Sequence, residues 1–292
     1  MIEIYLLEQL VAFEEYGTLS AASEQLHLSQ PALTRSMRKL EEVIGVPLFE
    51  RTKNRIALNE NGRLTAQYAQ KILEQERDMV ERVRLLDRSR RTITLGSCAP
   101  VPIADLVPVL SRCYTGMTIA SEIRNWDEEL LDGLDKGRYQ MAVLHEEPKE
   151  EGVYAFPYRK ETLSLVVPYT HPLAEREEVT LKDIDGQNLL LYTEIGFWYE
   201  MCREKLPNAH FLLMNEYDAF GEVAGTGAFP SFASDIMAGR SGNMEGKKLI
   251  PIRDPSAETT YYCVCRQEER ERYRKFYRML EQINWQKQEV KF

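Results

Sequence analysis

Residues 21–34 read Ala21-Ala22-Ser23-Glu24-Gln25-Leu26-His27-Leu28-Ser29-Gln30-Pro31-Ala32-Leu33-Thr34, and this stretch decides the fold of the amino-terminal part. Ser20 is placed to cap a short helix through Leu26, whose Ala21 and Ala22 let a neighbouring helix approach closely. His27-Leu28 makes a brief turn. Ser29 caps a second helix with Pro31 in its first turn, where a missing N–H costs nothing. Leu33, Met37, Leu40 and Ile44 then share one face. Two short helices joined by a turn of three or four residues make a helix-turn-helix.

A step of about 100° per residue turns Pro31, Thr34, Arg35 and Arg38 away from that apolar face, with Gln30 at the helix start. A helix of this kind fits a major groove about 12 Å wide. Arg35 can reach guanine O6 and N7, and Gln30 can read adenine or a phosphate. Ser29, Thr34 and the first amides of the helix suit phosphate positioning. Taken alone, the pattern fits equally well an ordinary three-helix cap with solvated arginines.

Working outward, Leu6, Leu10 and Phe13 recur at helical spacing before Gly17. Downstream, Gly45 and Pro47 close the second helix. Leu48–Arg51 and Ile56–Leu58 pair as a hairpin with Lys53-Asn54 at its tip, so Arg51, Lys53 and Arg55 are placed as a wing on the DNA backbone or minor groove. Glu60 to Arg88 is one proline-free helical pattern with an apolar stripe of Leu64, Tyr68, Ile72, Met79, Val83 and Leu86. A lone helix about 40 Å long cannot bury that stripe on itself. A matching helix from a second chain covers it better than a bundle, because no neighbouring helix follows in sequence.

Beyond Arg91 short β-rich runs alternate with helical ones. The strands are Thr92–Gly96, Thr118–Ile123, Met141–Leu144, Leu163–Val167, Asn188–Tyr192, Phe211–Met214, Ala228–Ser231 and Thr259–Cys265. The helices are Ile103–Tyr114, Asp127–Lys136, Phe197–Leu206, Tyr217–Ala224 and Glu268–Trp285. This alternation predicts a parallel α/β architecture, and about 200 residues suffice for two small lobes.

The composition agrees with a soluble globular chain of two or three domains: 292 residues, 43% hydrophobic and 28% charged. No run approaches the roughly 18 apolar residues of a membrane span. The first residues carry Glu3 and Glu8 within their apolar run and no basic leader, so they do not read as a signal peptide. Five cysteines, an odd number with no C-x-x-C pair, fit a reducing cytoplasm better than a disulfide framework.

The 21–34 string, followed by Glu41-Glu42-Val43-Ile44-Gly45-Val46-Pro47-Leu48-Phe49-Glu50-Arg51 and Leu58-Asn59-Glu60-Asn61-Gly62, closely resembles the amino-terminal domain of LysR-type transcriptional regulators. The resemblance continues through His171-Pro172-Leu173-Ala174, Leu181-Lys182-Asp183-Ile184 and Val223-Ala224-Gly225-Thr226-Gly227, and so covers essentially the whole chain. The family usually has Thr where Asn59 stands, a conservative change for a cap, and Asp where Gln140 stands. The resemblance implies a winged helix-turn-helix domain (1–58), a linker and dimerisation helix (59–88) and a two-lobed, periplasmic-binding-protein-like α/β effector domain (89–292). Its first lobe would take about 92–160 and 266–292, its second about 161–265. It further implies a cytoplasmic regulator, not an enzyme, that dimerises through its linker helix, binds double-stranded promoter DNA as a dimer of dimers (a homotetramer) and has RNA polymerase as a further partner. A small-molecule effector would sit between the lobes.

Strand ends and helix starts meet at such a cleft. By position its lining is expected to be Ser97, Cys98, Ala99 and Pro100 after the first strand, and Trp126, beside Asn125, after the second. Thr193, Glu194 and Phe197 would come from the other lobe, with Phe229 from the loop after Gly227. Ser97 and Thr193 suit a carboxylate, whereas Glu194 would repel an anion, which leaves a zwitterion or a cation open. Trp126 and Phe229 also fit as core residues.

The remaining chemistry predicts neither cofactor nor metal. His27, His145, His171 and His210 are scattered without ligand spacing, and Cys263 and Cys265 share one strand face. Cys98 at the cleft is the one thiol placed for redox or covalent-ligand chemistry. The family's peroxide-sensing branch uses two nearby cysteines in the second lobe, and in the corresponding region this chain has only Cys202. The competing reading is a small-molecule binding protein or enzyme whose α/β domain works without DNA.

The net charge of −9 is unevenly divided. Residues 1–91 hold 14 Lys+Arg and 14 Asp+Glu, so the whole excess of acid falls on residues 92–292. A pI near 5.2 is therefore no argument against a DNA-binding amino-terminal part.

Overall fold

The structure, a computed structural model of the chain, describes residues 1–51, 56–238, 246–283 and 285. The chain divides into two compact units, Met1–Arg84 and Leu85–Phe292.

In the first unit, helices α1 (Ile4–Tyr16), α2 (Leu19–Gln25) and α3 (Gln30–Ile44) pack around Leu6, Leu10, Phe13, Ala22, Leu33, Met37 and Leu40. Gly17 and Gly45 end α1 and α3 in the left-handed conformation that glycine adopts without a Cβ penalty. The cap of α2 differs from expectation. Thr18, not Ser20, is extended and accepts the Ala21 N–H at 3.1 Å, while Ser20 lies inside the helix. His27 makes the turn into α3 with φ 54°, an uncommon conformation for a residue other than glycine.

A two-stranded hairpin follows, β1 (Phe49–Arg51) on β2 (Ile56–Leu58), and Phe49 lies edge-on to Phe13 at 5.2 Å. Two side chains fix its base. Glu41 Oε1 accepts the N–H groups of Leu48 (2.8 Å) and Phe49 (3.2 Å). Asn59 donates to the Pro47 carbonyl at 2.9 Å and accepts from Gly62 N–H at 2.8 Å, so it does cap the next helix, α4 (Glu60–Arg88). A Cβ on Gly62 would lie 2.1 Å from the Leu48 carbonyl oxygen, so only glycine lets α4 start this close to the hairpin.

The second unit is built on strands and helices in the order β3 (Thr92–Ser97), α5 (Pro100–Cys113), β4 (Thr118–Ile123), α6 (Asp127–Asp135), β5 (Met141–Leu144), β6 (Val153–Pro168), α7 (Leu181–Ile184), β7 (Asn188–Tyr192), α8 (Phe197–Lys205), β8 (His210–Met214), α9 (Tyr217–Thr226), β9 (Ser231–Ser234), α10 (Asp235–Ala238), β10 (Lys247–Pro251), β11 (Glu258–Arg266) and α11 (Arg274–Gln282). The strands pair in the order β4-β3-β5-β11-β6-β9-β7-β8, with β10 also on β6. The sheet is mixed, not parallel throughout: β4-β3-β5 and β9-β7-β8 are parallel, but β6 is antiparallel to β11, β9 and β10.

Three further departures have local causes. β6 runs for 16 residues where five were expected, because its first half pairs with β11 and its second with β9 and β10. The strand expected at Ala228–Ser231 begins only at Ser231: Gly227 (φ 68°) ends α9, and the Pro230 carbonyl accepts from Leu190 N–H. Helix α5 starts at Pro100, since prolines at its first positions lose no hydrogen bond. Strand β10 was not anticipated. β11 pairs with β5 through Tyr262–Val264, which joins the first-lobe strands rather than the second lobe.

The two lobes meet where Gly196 (φ 66°) lies against the peptide that follows β3. Phe197 N–H donates to the Cys98 carbonyl at 2.9 Å, and a Cβ on Gly196 would come 1.8 Å from that oxygen. Gly116 also has positive φ (89°) but open space around its Cβ position. Gly196→Ala should therefore lower the urea midpoint of unfolding clearly more than Gly116→Ala, because both incur backbone strain but only the former meets a wall. Equal losses would show that the close approach contributes nothing.

Candidate functional site

The outward face of α3 carries the predicted DNA-contacting side chains. Ser29, Gln30, Pro31, Arg35 and Arg38 are exposed and Thr34 is half-buried, opposite the buried Leu33, Met37 and Leu40. Two hydroxyls are already engaged: Ser29 Oγ accepts Ala32 N–H at 3.3 Å, and Thr34 donates to the Gln30 carbonyl at 2.9 Å. Ser29 keeps its own O–H to donate to a phosphate. Lys39 is turned aside, donating to Glu3 Oε2 at 2.5 Å beside the Tyr5 ring. Lys53, Arg55 and the side chain of Arg51 lie outside the described residues.

On α4 the buried side is made of small residues, Gly62, Ala66 and Ala69 with Leu73. The stripe of Leu64, Tyr68, Ile72, Met79, Val83 and Leu86 is exposed, from 43% at Ile72 to 63% at Leu86. These are large apolar side chains in a row, which an isolated chain rarely leaves in water.

The second unit holds a cavity of about 540 Å³. Its walls are Leu190–Tyr192 of β7, Ser231–Ser234 of β9, the side of α9 with Tyr217 and Phe220, and Glu161, Leu163 and Val166 of β6. Pro100, Val101 and Ile123 close it from the first lobe. None of the α9 residues is buried, because the helix roofs this space instead of packing on a core. Lys247 Nζ donates to the Ala224 carbonyl near the end of α9 at 2.6 Å.

Of the expected effector residues, Pro100 and Glu194 line this cavity. Ser97, Cys98 and Ala99 do not, for a physical reason: they have no exposed surface. The turn after β3 is sealed by its own bonds, with Ser97 Oγ donating to the Ala99 carbonyl at 2.6 Å. Phe197 is 7% exposed and stacks on the His145 ring at 4.1 Å instead. Trp126 is half exposed, while Thr193 and Phe229 are half-buried, and none of the three is part of the cavity wall. Sequence reasoning missed the deeper lining, above all Glu161. Its Oε2 accepts from Trp198 Nε1 at 3.2 Å and from the Tyr261 hydroxyl. Nothing local marks Glu161, which stands among Arg159, Lys160 and Thr162 in a charged-looking stretch.

A model of the bacterial regulatory helix-turn-helix proteins of the lysR family matches residues 4–63, and one of the LysR substrate binding domain matches residues 87–284. The chain belongs to the LysR family. Among its relatives, a hydrogen peroxide-inducible genes activator of Haemophilus influenzae is 24% identical over 273 residues, covering 89% of each chain. The Hca operon transcriptional activator HcaR of Escherichia coli is 29% identical over 65% of this chain and 64% of its own. A full-length OxyR variant from Pseudomonas aeruginosa has a similar fold, with a TM-score of 0.53, 21% identity and coverage of 96% and 100%. A full-length BenM variant gives 0.52, 22%, 96% and 95%. The LysR-type chain is thus a DNA-binding transcriptional regulator with an effector-binding domain.

In this LysR-family domain the cavity acid is held in an unusual state. Burial pushes the Glu161 carboxyl up from its ordinary range, against the pull of hydrogen bonds from Ser234, Tyr261 and Trp198. For an acid raised in the folded state, the unfolded chain ionises first as pH rises, so folding loses stability above the unfolded value near 4.5 and up through the folded value. Glu161→Gln keeps an oxygen to accept from Trp198 and Tyr261 and removes that ionisation. Its unfolding midpoint relative to the parent protein should therefore rise as pH climbs above about 4.5 and level off once Glu161 ionises in the folded chain as well. A difference that stays flat with pH would mean that Glu161 ionises normally in the folded chain.

Proposed function

We propose that this LysR-family regulator binds promoter DNA as a dimer of dimers, and that a small molecule in the second-unit cavity shifts the orientation of the two lobes. The observation that carries the reading is the division of α3 into two faces. Leu33, Met37 and Leu40 are buried while Gln30, Arg35 and Arg38 are free to enter a groove. The exposed stripe on α4 supports dimerisation, because a second copy of the helix can cover it at coiled-coil spacing. Residues 1–58, 59–88 and 89–292 then serve as reader, dimerisation helix and sensor.

Because the cavity touches both lobes, an occupant that contacts Pro100 or Val101 and also α9 favours one lobe orientation, which is the source of the switch. Contact with RNA polymerase from the DNA-bound tetramer, in the cytoplasm, belongs to the same reading. The relatives are transcriptional regulators, and we read the chain as a regulator, not an enzyme. The peroxide response named for one relative is not carried over. Cys202, the one cysteine of the second lobe, is 1% exposed and its thiol is pushed up to about 12 by burial, far from the thiolate that oxidation needs.

Two experiments test the reading. Arg35→Ala should weaken promoter retardation by about 1–3 kcal/mol and relax selectivity at one base position; unchanged affinity and selectivity at moderate salt would refute the proposed reading head. Ile72→Glu combined with Met79→Glu should convert the protein to monomer in sedimentation. A dimer surviving both charges would mean that the copies associate through some surface other than the α4 stripe.

A further inference from the structure

Three neighbouring parallel strands, β4, β3 and β5, end side by side, and the residues just past their ends bring together a thiol, a carboxylate and an imidazole. Cys98 follows β3, Asp127 opens α6 after β4, and His145 follows β5. Their donor atoms lie within 4.8 Å of one another. We propose that Cys98, Asp127 and His145 form a binding site for one divalent transition-metal ion of the zinc or cobalt class.

The donor set selects that class. Sulfur with imidazole disfavours magnesium and calcium, which prefer oxygen, and suits the borderline-soft later first-row ions. Bonds of about 2.0 Å to nitrogen or oxygen and 2.3 Å to sulfur set neighbouring donors of a tetrahedral ion roughly 3.3–3.7 Å apart. To reach that range the His145 and Asp127 atoms, now 2.9 Å apart, must separate slightly, and the Cys98 sulfur, within 4.8 Å of both, must adjust to them. Charge balance favours the same occupant, because a thiolate, a carboxylate and a neutral imidazole together cancel a double positive charge in a site where Cys98 has no exposed surface. Burial and the Asp127 charge hold the proton on Cys98, so it is the metal itself that displaces it: as the sulfur–metal bond forms the S–H bond breaks and the proton passes to solvent.

The surroundings are arranged as supports for ligands. Asp127 Oδ2 accepts the backbone N–H groups of His145 and Glu146, both at 3.1 Å, which fixes the carboxylate. His145 Nδ1 is buried and lies 2.9 Å from Asp127 Oδ1, so the imidazole and the carboxylate are already held face to face. Phe197 of the second lobe touches two members of the trio, stacking on His145 at 4.1 Å and donating its N–H to the Cys98 carbonyl. Three protein donors leave a fourth position open to water or an added ligand. An effect of the ion on lobe orientation through Phe197 rests on the effector reading above; binding of the ion does not.

The test is a cobalt(II) titration of the full chain, prepared free of metal. One equivalent should bind, with a thiolate-to-cobalt charge-transfer band and visible absorption of tetrahedral intensity. Cys98→Ser should abolish the charge-transfer band, and His145→Ala should weaken binding about tenfold or more. Asp127→Asn, which keeps an acceptor for both backbone N–H groups, should lose affinity while its melting temperature without metal stays near that of the parent. It decides the matter should Cys98→Ser fail to fold. Absence of a charge-transfer band, a band that persists in Cys98→Ser, or full affinity in Asp127→Asn would each overturn the site. Arg35→Ala should leave the cobalt spectrum unchanged, so loss of the DNA reading and loss of the metal site are separately visible.

Discussion

The second unit hangs on the pairing of β6. Its first half is hydrogen-bonded to β11 and through it to the parallel strands β5, β3 and β4; its second half is bonded to β9 and β10. One extended strand thus belongs to both lobes, and no rearrangement of the lobes can leave it unaffected. At the change of partners sits Glu161, an acid 2% exposed, held by Trp198 of α8 and Tyr261 of β11. A carboxyl removed from water in this way has to be fully hydrogen-bonded, and that requirement ties three chain segments to one point.

Around this crossing the lobes make a second, tighter contact. The Cys98 carbonyl accepts from Phe197, Gly196 lies against it without room for a side chain, and the Phe197 ring lies flat on His145. The cavity beneath α9 opens on the other side of the same loop, with Ile195 and Trp198 in its wall. The cavity wall and the Cys98–Phe197 contact are thus built from adjacent residues of one short segment, 194–198.

The first unit works by a different rule, the sorting of side chains between water and core. In α3 the sorting leaves arginines in solvent and leucines inside; in α4 it leaves a row of large apolar residues outside, the surface that the proposed dimer would cover. The fixed points are small: a glutamate bridging two amides at the base of the hairpin, and a glycine where α4 meets the Leu48 carbonyl.

Local periodicity and capping are written in the sequence, and they were enough for α1, α3, α4, the hairpin and most of the α/β alternation. Helical spacing of Leu33, Met37 and Leu40 determines both the buried face and the exposed Arg35 and Arg38, since a rigid helix leaves no other choice. What the sequence could not show is which separated segments come together. The antiparallel partners of β6, the burial of Ser97 and Cys98, the role of Glu161 and the meeting of Asp127 with Cys98 and His145 all depend on strand order. Strand order is set by the packing of the whole sheet, so tertiary structure alone decided them.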